Sequence, residues 1–275
     1  MPSKDDRIRK YYDKGYLLSV KNRFYKEFID NLFSLLLKSD VSKGDITTNS
    51  IFKKDFKAKA VIIAKENGII AGIEEITYIL NKYNIDVIAK KDKSSIKKGE
   101  IILVLKGDIK TILKLERTIL NLLQRMAGIA TFTDNIVKKS KVRIAATRKT
   151  LFNYLDKKAV YIGRALTHRL NLSDEILIKK NHLKYAKNIP KDSIIEVTDI
   201  KKALEVSKYK PIAIMFDNMK PLEIKKAIKL LPKNIIFEGS GIKDIKQYQN
   251  IGLDIISLGS LTKNSHVLDM SLIIK

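Results

Sequence analysis

The last third of the chain alternates short apolar runs with helical segments, and this rhythm restricts its fold more than any other feature. Four runs predict strands: Ile194–Val197, Ile212–Phe216, Ile235–Phe237 and Ile255–Leu258. The residues near 200–207, 221–231 and 243–249 place apolar side chains at helical spacing and predict the intervening helices. Strands that alternate with helices in this way favour a parallel sheet or barrel.

A polar residue or a glycine occurs in or directly after each of these predicted strands. In chain order they are Glu196, Asp217, Ser240 with Gly241, and Gly259 with Ser260. One such residue would mean little, since turns commonly need acids and glycines. The carboxyl ends of parallel strands meet at one edge, however, and ligands bind there in open sheets and barrels. The four positions together therefore predict a binding site.

The segment from Thr147 to His182 adds positive charge to the same predicted edge. It contains three cationic positions: Arg148 with Lys149 after the largely apolar residues 142–146, His168 with Arg169, and Lys179 after the apolar residues 176–178. Each could be an ordinary solvated side chain, because charged residues mostly lie on the surface. Cations at two strand ends, with His168 and Arg169 between them, together predict a pocket for a multiply charged anion.

The first part of the chain predicts a mixed region of strands and helices. Helices are predicted over residues 22–38 and 73–82, and residues 1–20 predict an extended arm or a short helix. Strands are predicted over residues 57–64, 69–71, 86–89 and 99–105. A long helix is predicted from Ile109 to about Lys139, with a break near Gly128.

The composition excludes several functional classes. The sequence has no cysteine, so disulfides, thiolate catalysis and cysteine-ligated metals are excluded. No run of 18 apolar residues occurs, and the first residues have no apolar core resembling a secretory signal. We therefore expect no membrane partner and a cytoplasmic location.

The formal net charge of +24 raises the alternative of a nucleic-acid-binding protein, because basic surfaces release counterions when they bind nucleic acid. The lysines, however, are spread along the whole chain among acidic and apolar residues. There is no zinc-finger spacing, no R-G-G tract and no aromatic-rich ribonucleoprotein motif. A basic surface also attracts small polyanionic substrates, so the net charge does not by itself require a nucleic-acid partner. Because the motifs named above are missing as well, we expect no nucleic-acid partner.

Several motifs resemble those of one enzyme family. They are T-R-K-T at 147–150, G-x-x-x-x-H-R at 163–169, L-S-D-x-x-L-I-K-x-N-H at 172–182, E-R-x-x-L-N-x-L-Q-R at 116–125 and G-D-I-T-T at 44–48. From about residue 44 onward, the sequence resembles quinolinate phosphoribosyltransferase, also called nicotinate-nucleotide pyrophosphorylase (carboxylating). The resemblance implies conversion of quinolinate and phosphoribosyl pyrophosphate to nicotinate mononucleotide, pyrophosphate and carbon dioxide in NAD biosynthesis.

The resemblance implies how the pyridine substrate would be bound. Arg148, His168 and Arg169 would hold the two quinolinate carboxylates, together with Arg117 from a partner subunit. Arginine suits this role because its planar guanidinium can bind a carboxylate through two hydrogen bonds. A homodimer, or a multiple of it, is therefore implied.

The resemblance also implies which residues act on the phosphoribosyl donor. The catalytic residues would be Lys149 and Lys179, lying between the two substrates, and Glu196 and Asp217, holding the ribose hydroxyls and a Mg²⁺ cofactor. Mg²⁺ prefers hard oxygen ligands and needs only one or two carboxylates. The 5-phosphate would be bound at the two glycine-containing turns, by Ser240, Gly241, Gly259 and Ser260.

The fold class combines α+β with α/β architecture. We expect an N-terminal mixed α/β sandwich domain over residues 1–112, which would close the partner's site, followed by an open parallel β/α barrel over residues 113–275. A chain of 275 residues is long enough for one large core or two smaller ones. The predicted binding site lies in the second domain.

The sequence also departs from the family pattern at two loops. Gly163-Arg164-Ala165 stands in place of a glycine-rich run, and Ser240-Gly241-Ile242 shortens a glycine loop. These differences leave open an enzyme of the same fold with another substrate, such as the molybdenum-associated paralogues. Lys179 favours the quinolinate enzyme, because those paralogues tend to lose this lysine.

Overall fold

The computed structural model of the protein describes residues 2–186 and 188–275. The helices, in chain order, are α1 (Lys4–Tyr12), α2 (Arg23–Val41), α3 (Ile46–Ile51), α4 (Ile73–Lys82), α5 (Ile109–Lys139), α6 (Tyr154–Ile162), α7 (Lys180–Leu183), α8 (Ile200–Ser207), α9 (Pro221–Leu230) and α10 (Ser260–Lys263). The strands are β1 (Lys57–Ala64), β2 (Gly68–Ile69), β3 (Asp86–Ala89), β4 (Ser95–Ile96), β5 (Ile101–Asp108), β6 (Arg143–Ala145), β7 (Ile176–Ile178), β8 (Ser193–Val197), β9 (Ala213–Asp217), β10 (Ile236–Ser240), β11 (Ile255–Ser257) and β12 (Met270–Ile274).

One compact unit contains a parallel sheet. It is built from the residues up to Gly15, Asn135–Asn153 and Ala165–Lys263. The six strands lie in the order β6-β11-β10-β9-β8-β7, and every adjacent pair is parallel. A parallel neighbour needs a crossover connection, which the helices between the strands provide. β6 and β7 are the two edge strands, so the sheet is open. The predicted open parallel β/α architecture is therefore confirmed.

The strands predicted in the last third are confirmed as β8 to β11, with ends that differ by up to three residues. The predicted helix near residues 243–249 is wrong, because this segment forms only a short 3-10 turn at Ile245–Tyr248. Gly241 and Gly252 flank the segment with backbone φ angles of 73° and 97°. These left-handed residues change the chain direction on both sides of the segment.

The second compact unit contains the mixed α/β arrangement that the sequence predicts. It is built from Tyr16–Asp134, Tyr154–Arg164 and Asn264–Lys275. Its antiparallel sheet has the order β12-β1-β5-β3, so the last strand of the chain lies at one edge. The predicted domain division between residues 112 and 113 lies inside α5 and stays a prediction. Among residues 2–186 and 188–275, no helix is both long and apolar enough to cross a membrane.

The long helix α5 continues through Gly128, so the break predicted at this glycine is wrong. Glycine is required here for close packing rather than for a bend. A Cβ atom on Gly128 would lie 1.9 Å from the carbonyl oxygen of His266 and 3.0 Å from the Cα atom of Val267. The backbone of residues 266–267 therefore passes directly against the helix surface.

Replacing Gly128 by alanine should destabilise the protein, although alanine is the better helix former by about 1 kcal/mol. We expect the free energy of unfolding to fall by roughly 1–3 kcal/mol, because backbone atoms must move to admit the methyl group. Urea unfolding measures this change. Asn121→Ala, at an exposed position of the same helix, is the control and should be neutral or slightly stabilising. Equal stability of the Gly128→Ala and wild-type proteins would contradict the packing argument.

The second unit buries a carboxyl group, that of Glu75 on α4. Its side chain is 2% exposed and accepts a hydrogen bond from the Tyr25 hydroxyl at 2.8 Å. The Lys158 ammonium group lies 4.0 Å away and forms a closer pair with Glu74 at 2.7 Å. Burial raises the pKa of Glu75 to about 7, although the positive charge of Lys158 acts in the opposite direction.

The stability of the protein should therefore fall as the pH rises from about 4.5 to about 7. In this window the Glu75 carboxyl ionises freely in the unfolded chain, while the folded protein retains its proton. The shift corresponds to a loss on the order of 3 kcal/mol across the window. Urea unfolding at several pH values should show a flatter profile for Glu75→Gln than for the wild type. Glu205→Gln, which removes a half-exposed carboxylate, should retain the wild-type slope.

Candidate active site

The strands of the parallel sheet direct alternate side chains to one inner face, because successive residues of a strand point to opposite sides. These side chains are apolar near the amino end of each strand and polar near its carboxyl end. In that direction they are Ala145 and Thr147, Leu177 and Lys179, Ile194 and Glu196, Met215 and Asp217, Ile236, Glu238 and Ser240, and Ile255 and Ser257. One end of the inner face is therefore hydrophobic core, and the other is the wall of a pocket.

A cavity of about 440 Å³ opens at the carboxyl ends of the strands. Its lining is Thr147, Arg148, Lys149, His168, Arg169, Leu177, Lys179, Glu196, Met215, Asp217, Ser240 and Ser257. Eight of the predicted site residues are in this set, so the structure brings them together. They come from distant parts of the sequence and meet because parallel strands place all their carboxyl ends at one edge.

Two arginines in the cavity have side chains of the same charge close to each other. Arg169 is 7% exposed and donates a hydrogen bond to the carbonyl oxygen of Glu175 at 3.0 Å. Burial lowers the pKa of the Arg169 guanidinium, and the positive charge of Arg148 lowers it further. Because like charges at close range repel each other, this part of the cavity is suited to an anion that lies between the two groups.

Two carboxylates lie in the cavity on neighbouring strands. Burial raises the pKa of Glu196, and the negative charge of Asp217 raises it further, whereas Lys179 and Lys149 act in the opposite direction. A cation or a hydroxyl-bearing ligand between the two carboxylates would relieve their repulsion. Among the described residues, no group of three or more His, Cys, Asp or Glu side chains could hold a metal ion. This pair suits a cation such as Mg²⁺, which takes one or two carboxylates and completes its coordination with other oxygens.

His168 is held by hydrogen bonds within the protein. Its Nδ1 atom accepts a hydrogen bond from the backbone N–H of Arg169 at 2.7 Å, which requires a lone pair on that nitrogen. The ring proton of this arrangement is therefore on Nε2, which lies 3.3 Å from Oε1 of Glu238. Both ring nitrogens of His168 therefore face groups of the protein, Nδ1 the Arg169 backbone and Nε2 the Glu238 carboxylate.

Glu238 is not among the site residues predicted from the sequence, although it directly follows the predicted strand Ile235–Phe237. Glu238 lies between Ile236 and Ser240 on the inner face, so strand alternation places it beside the cavity. Its side chain is 0% exposed. Burial alone would raise the pKa of Glu238, but His168, Ser257 and Tyr12 hold it below its usual range. The group is therefore a buried carboxylate in the charged form.

Four predicted residues are not part of the cavity lining described above. Arg117 is exposed on α5 in the other compact unit, so its role across a dimer interface stays a prediction. Gly241 has a φ angle of 73°, and a Cβ atom there would lie 2.2 Å from Oδ1 of Asn218. Gly259 directly precedes α10, whose first residue is Ser260, and a Cβ atom on Gly259 would lie 3.2 Å from the Lys149 side chain. The backbone at Gly259 therefore packs against the Lys149 side chain.

Comparison with known proteins agrees with this geometry. Residues 45–127 match the family model of the quinolinate phosphoribosyl transferase N-terminal domain, and residues 129–273 match that of the C-terminal domain. The chain belongs to the quinolinate phosphoribosyl transferase family. The resemblance seen in the sequence motifs is thus confirmed, as is the two-part fold class.

Individual members of the family are similar over nearly the whole chain. A probable nicotinate-nucleotide pyrophosphorylase (carboxylating) of Methanocaldococcus jannaschii is 41% identical, over 90% of this chain and 97% of that protein. The corresponding Bacillus subtilis protein is 33% identical, over 89% of this chain and 92% of its own length. The solved structure of the nicotinate-nucleotide pyrophosphorylase from Francisella tularensis is 30% identical, with a TM-score of 0.83 over 90% of this chain and 96% of that chain.

A multivalent anion should stabilise the protein by binding between Arg148 and Arg169. At a phosphate concentration ten times the Kd, the gain is about 1.4 kcal/mol, or a rise of roughly 3 °C in Tm. We expect this rise relative to chloride at equal ionic strength, measured by thermal unfolding. Arg169→Gln should lose most of it, whereas Lys229→Gln, which removes one exposed charge on α9, should retain it. The same phosphate response in all three proteins would show general screening of the +24 net charge instead.

Proposed function

We propose that this protein is a quinolinate phosphoribosyltransferase, which converts quinolinate and phosphoribosyl pyrophosphate to nicotinate mononucleotide, pyrophosphate and carbon dioxide in NAD biosynthesis. The observation that carries the proposal is one cavity in which cations and two carboxylates meet at the carboxyl ends of a parallel sheet. Both substrates are polyanions, so the cationic side chains of such a cavity attract them. The names of the family members support the same activity.

Quinolinate binds on the side of the cavity that holds Arg148 and Arg169. Two carboxylates on adjacent ring carbons match two guanidinium groups, each of which can form paired hydrogen bonds. The repulsion between these guanidiniums is relieved when the dianion lies between them. His168 fixes the start of the segment that carries Arg169 and offers its ring as a wall of the pocket.

The phosphoribosyl donor lies on the side that holds Glu196 and Asp217. These carboxylates accept hydrogen bonds from the ribose hydroxyls, and they are also the residues that would hold Mg²⁺. When bound, Mg²⁺ neutralises charge on the pyrophosphate leaving group. Lys149 and Lys179 lie on the cavity wall and supply positive charge between the two substrates. The 5-phosphate lies at the turns of Ser240-Gly241 and Gly259-Ser260, where backbone N–H groups can donate to it.

The cavity stabilises two successive charge changes. The pyridine nitrogen attacks the ribose carbon as its bond to pyrophosphate breaks, so positive charge develops on the ribose ring near Glu196 and Asp217. Loss of carbon dioxide then leaves an electron pair on the ring carbon next to the pyridinium nitrogen. Fixed cations at Arg148, Arg169 and Lys179 stabilise this pair until it takes up a proton.

The proposal includes a homodimer, or a multiple of it, in which Arg117 of one protomer reaches the cavity of its partner. Arg117 is exposed on α5, so it is accessible for such a contact. A cytoplasmic location, expected from the sequence, is also part of the proposal.

Incubating the purified protein with quinolinate, phosphoribosyl pyrophosphate and Mg²⁺ tests the proposed function. We expect nicotinate mononucleotide and carbon dioxide in equal amounts, and loss of turnover when Mg²⁺ is chelated. Arg169→Ala should lower kcat/KM at least about 100-fold, because charged hydrogen bonds to the substrate are lost. Lys229→Ala is the control and should retain wild-type kinetics. Absence of turnover together with salt-sensitive binding of DNA or RNA would favour the nucleic-acid alternative.

A further inference from the structure

The segment from Lys4 to Lys14 closes the amino end of the parallel sheet, although it lies before the residues that match the family models. Ile8 is 1% exposed and Tyr12 is 0% exposed. Both side chains pack against the apolar part of the inner face, among residues of all six strands. Helix α1 therefore lies inside the open sheet and fills the space that the strands enclose.

Ionic contacts fix the start of α1 at the amino ends of the strands. The Lys4 ammonium group lies 2.7 Å from the Asp254 carboxylate, directly before β11, and 4.6 Å from the ring centroid of Phe237 on β10. Arg143, the first residue of β6, donates a hydrogen bond to Asp5 at 2.9 Å. The helix therefore enters at the end of the sheet opposite to the cavity and runs toward it.

The end of α1 contacts two residues beside the cavity through Tyr12. The Tyr12 hydroxyl donates a hydrogen bond to Oε2 of Glu238 at 2.8 Å, and the other oxygen of Glu238 faces His168. The Tyr12 carbonyl accepts from the backbone N–H of His168 at 2.8 Å. The two rings are in contact, with centroids 4.8 Å apart. Tyr12 thus touches His168 at its backbone and its ring, and reaches its Nε2 side through Glu238.

Lys14, two residues after the helix, extends this support to the loop that follows Arg169. The backbone N–H of Lys14 donates to Oγ1 of Thr167 at 2.9 Å, and its ammonium group pairs with both Asp174 and Glu175. Asp174 accepts from the backbone N–H of Leu170 at 2.7 Å. The segment therefore contacts the Thr167–Glu175 loop on both sides of Arg169.

We propose that the segment from Lys4 to Lys14 is a positioning element of the active site, in which Tyr12 acts through Glu238 and His168 to fix the quinolinate-binding Arg169. This inference rests on the proposed function. Tyr12 does not touch the substrates, so its effect is on the geometry of the anion pocket. A Tyr12→Phe substitution removes one hydroxyl donor and leaves the apolar contacts of the ring in place.

The backbone of His168 explains why an external support is needed. His168 has a φ angle of 54°, a left-handed conformation that is strained for residues other than glycine. Its backbone N–H has the Tyr12 carbonyl as its partner, and its ring is held between Glu238 and the Arg169 backbone. Loss of the Tyr12 hydroxyl leaves Oε2 of the buried Glu238 without that donor, which loosens the ring on which the Arg169 backbone depends.

Steady-state kinetics with each substrate varied in turn test the proposal. Tyr12→Phe should raise the KM for quinolinate about tenfold and leave the KM for phosphoribosyl pyrophosphate within about twofold. The reason is that Arg148 and Arg169 bind the carboxylates of quinolinate and not the phosphoribosyl donor. Tyr11→Phe, a half-buried neighbour on the same helix, is the matched control and should behave as wild type. Equal increases in both KM values, or no increase in either, would overturn the proposal and leave Tyr12 with a packing role alone.

A double-mutant cycle and nitrogen NMR test the path of the effect. If Tyr12 acts through Glu238, Tyr12→Phe should change the quinolinate KM less than twofold in a Glu238→Gln background. Full additivity of the two substitutions would contradict that path.

The sequence has only three histidines, so the imidazole nitrogen signals of His168 can be assigned. Wild-type His168 should show the proton on Nε2, and Tyr12→Phe, but not Tyr11→Phe, should shift these signals. Unchanged signals would overturn the proposal even if the protein had no turnover with quinolinate, so this result is independent of the proposed function.

Discussion

The structure depends on the parallel pairing of β6 to β11, because this pairing places all their carboxyl ends at one edge. Strand alternation then decides which side chains share the inner face. Each strand contributes an apolar residue to the core and, two residues later, a polar residue to the cavity, as Ile194 and Glu196 do. The apolar core and the cavity wall are therefore two layers on the same inner face of the sheet. The packing of the core sets the geometry of the cavity.

Positive charge acts at two ranges in this protein. The lysines spread over the surface produce a general field that raises the local concentration of polyanions and is screened within about 10 Å at ordinary salt. Arg148 and Arg169 act at close range: burial and the positive charge of Arg148 lower the pKa of Arg169. Glu196 and Asp217 form the acidic part of the same cavity. Under the proposed function, the basic part holds the negatively charged pyridine ring, and the acidic part holds the ribose hydroxyls and Mg²⁺.

Residues near one another along a strand or in a motif could be predicted from the sequence. Apolar runs precede the cations at 148, 149 and 179 and the acid at 217, and Glu196 lies within such a run. Local periodicity is enough to place these strand ends together, whereas Arg169 belongs to a motif. Contacts between distant segments could not be predicted in this way. Tyr12 and Glu238 are 226 residues apart, and no local pattern connects them. The role of Gly128 could not be predicted for the same reason: its low helix propensity suggests a break, whereas close packing against the His266 backbone is what requires a glycine. The proposed cross-subunit role of Arg117 and the proposed binding of Mg²⁺ both involve groups outside this chain.

The order of segments in the two compact units has a consequence for synthesis on the ribosome. Helix α1 is made before any strand of the parallel sheet that it fills, and β12 is made after every strand of the antiparallel sheet that it joins. Neither unit can complete its core until its last segment is made, which is β11 for the parallel sheet and residues 264–275 for the antiparallel sheet. Until then α1 lacks strands that cover Ile8 and Tyr12, and β1 keeps an unpaired edge. Apolar surface and an open strand edge therefore stay uncovered until late in translation, and such features favour aggregation of incomplete chains.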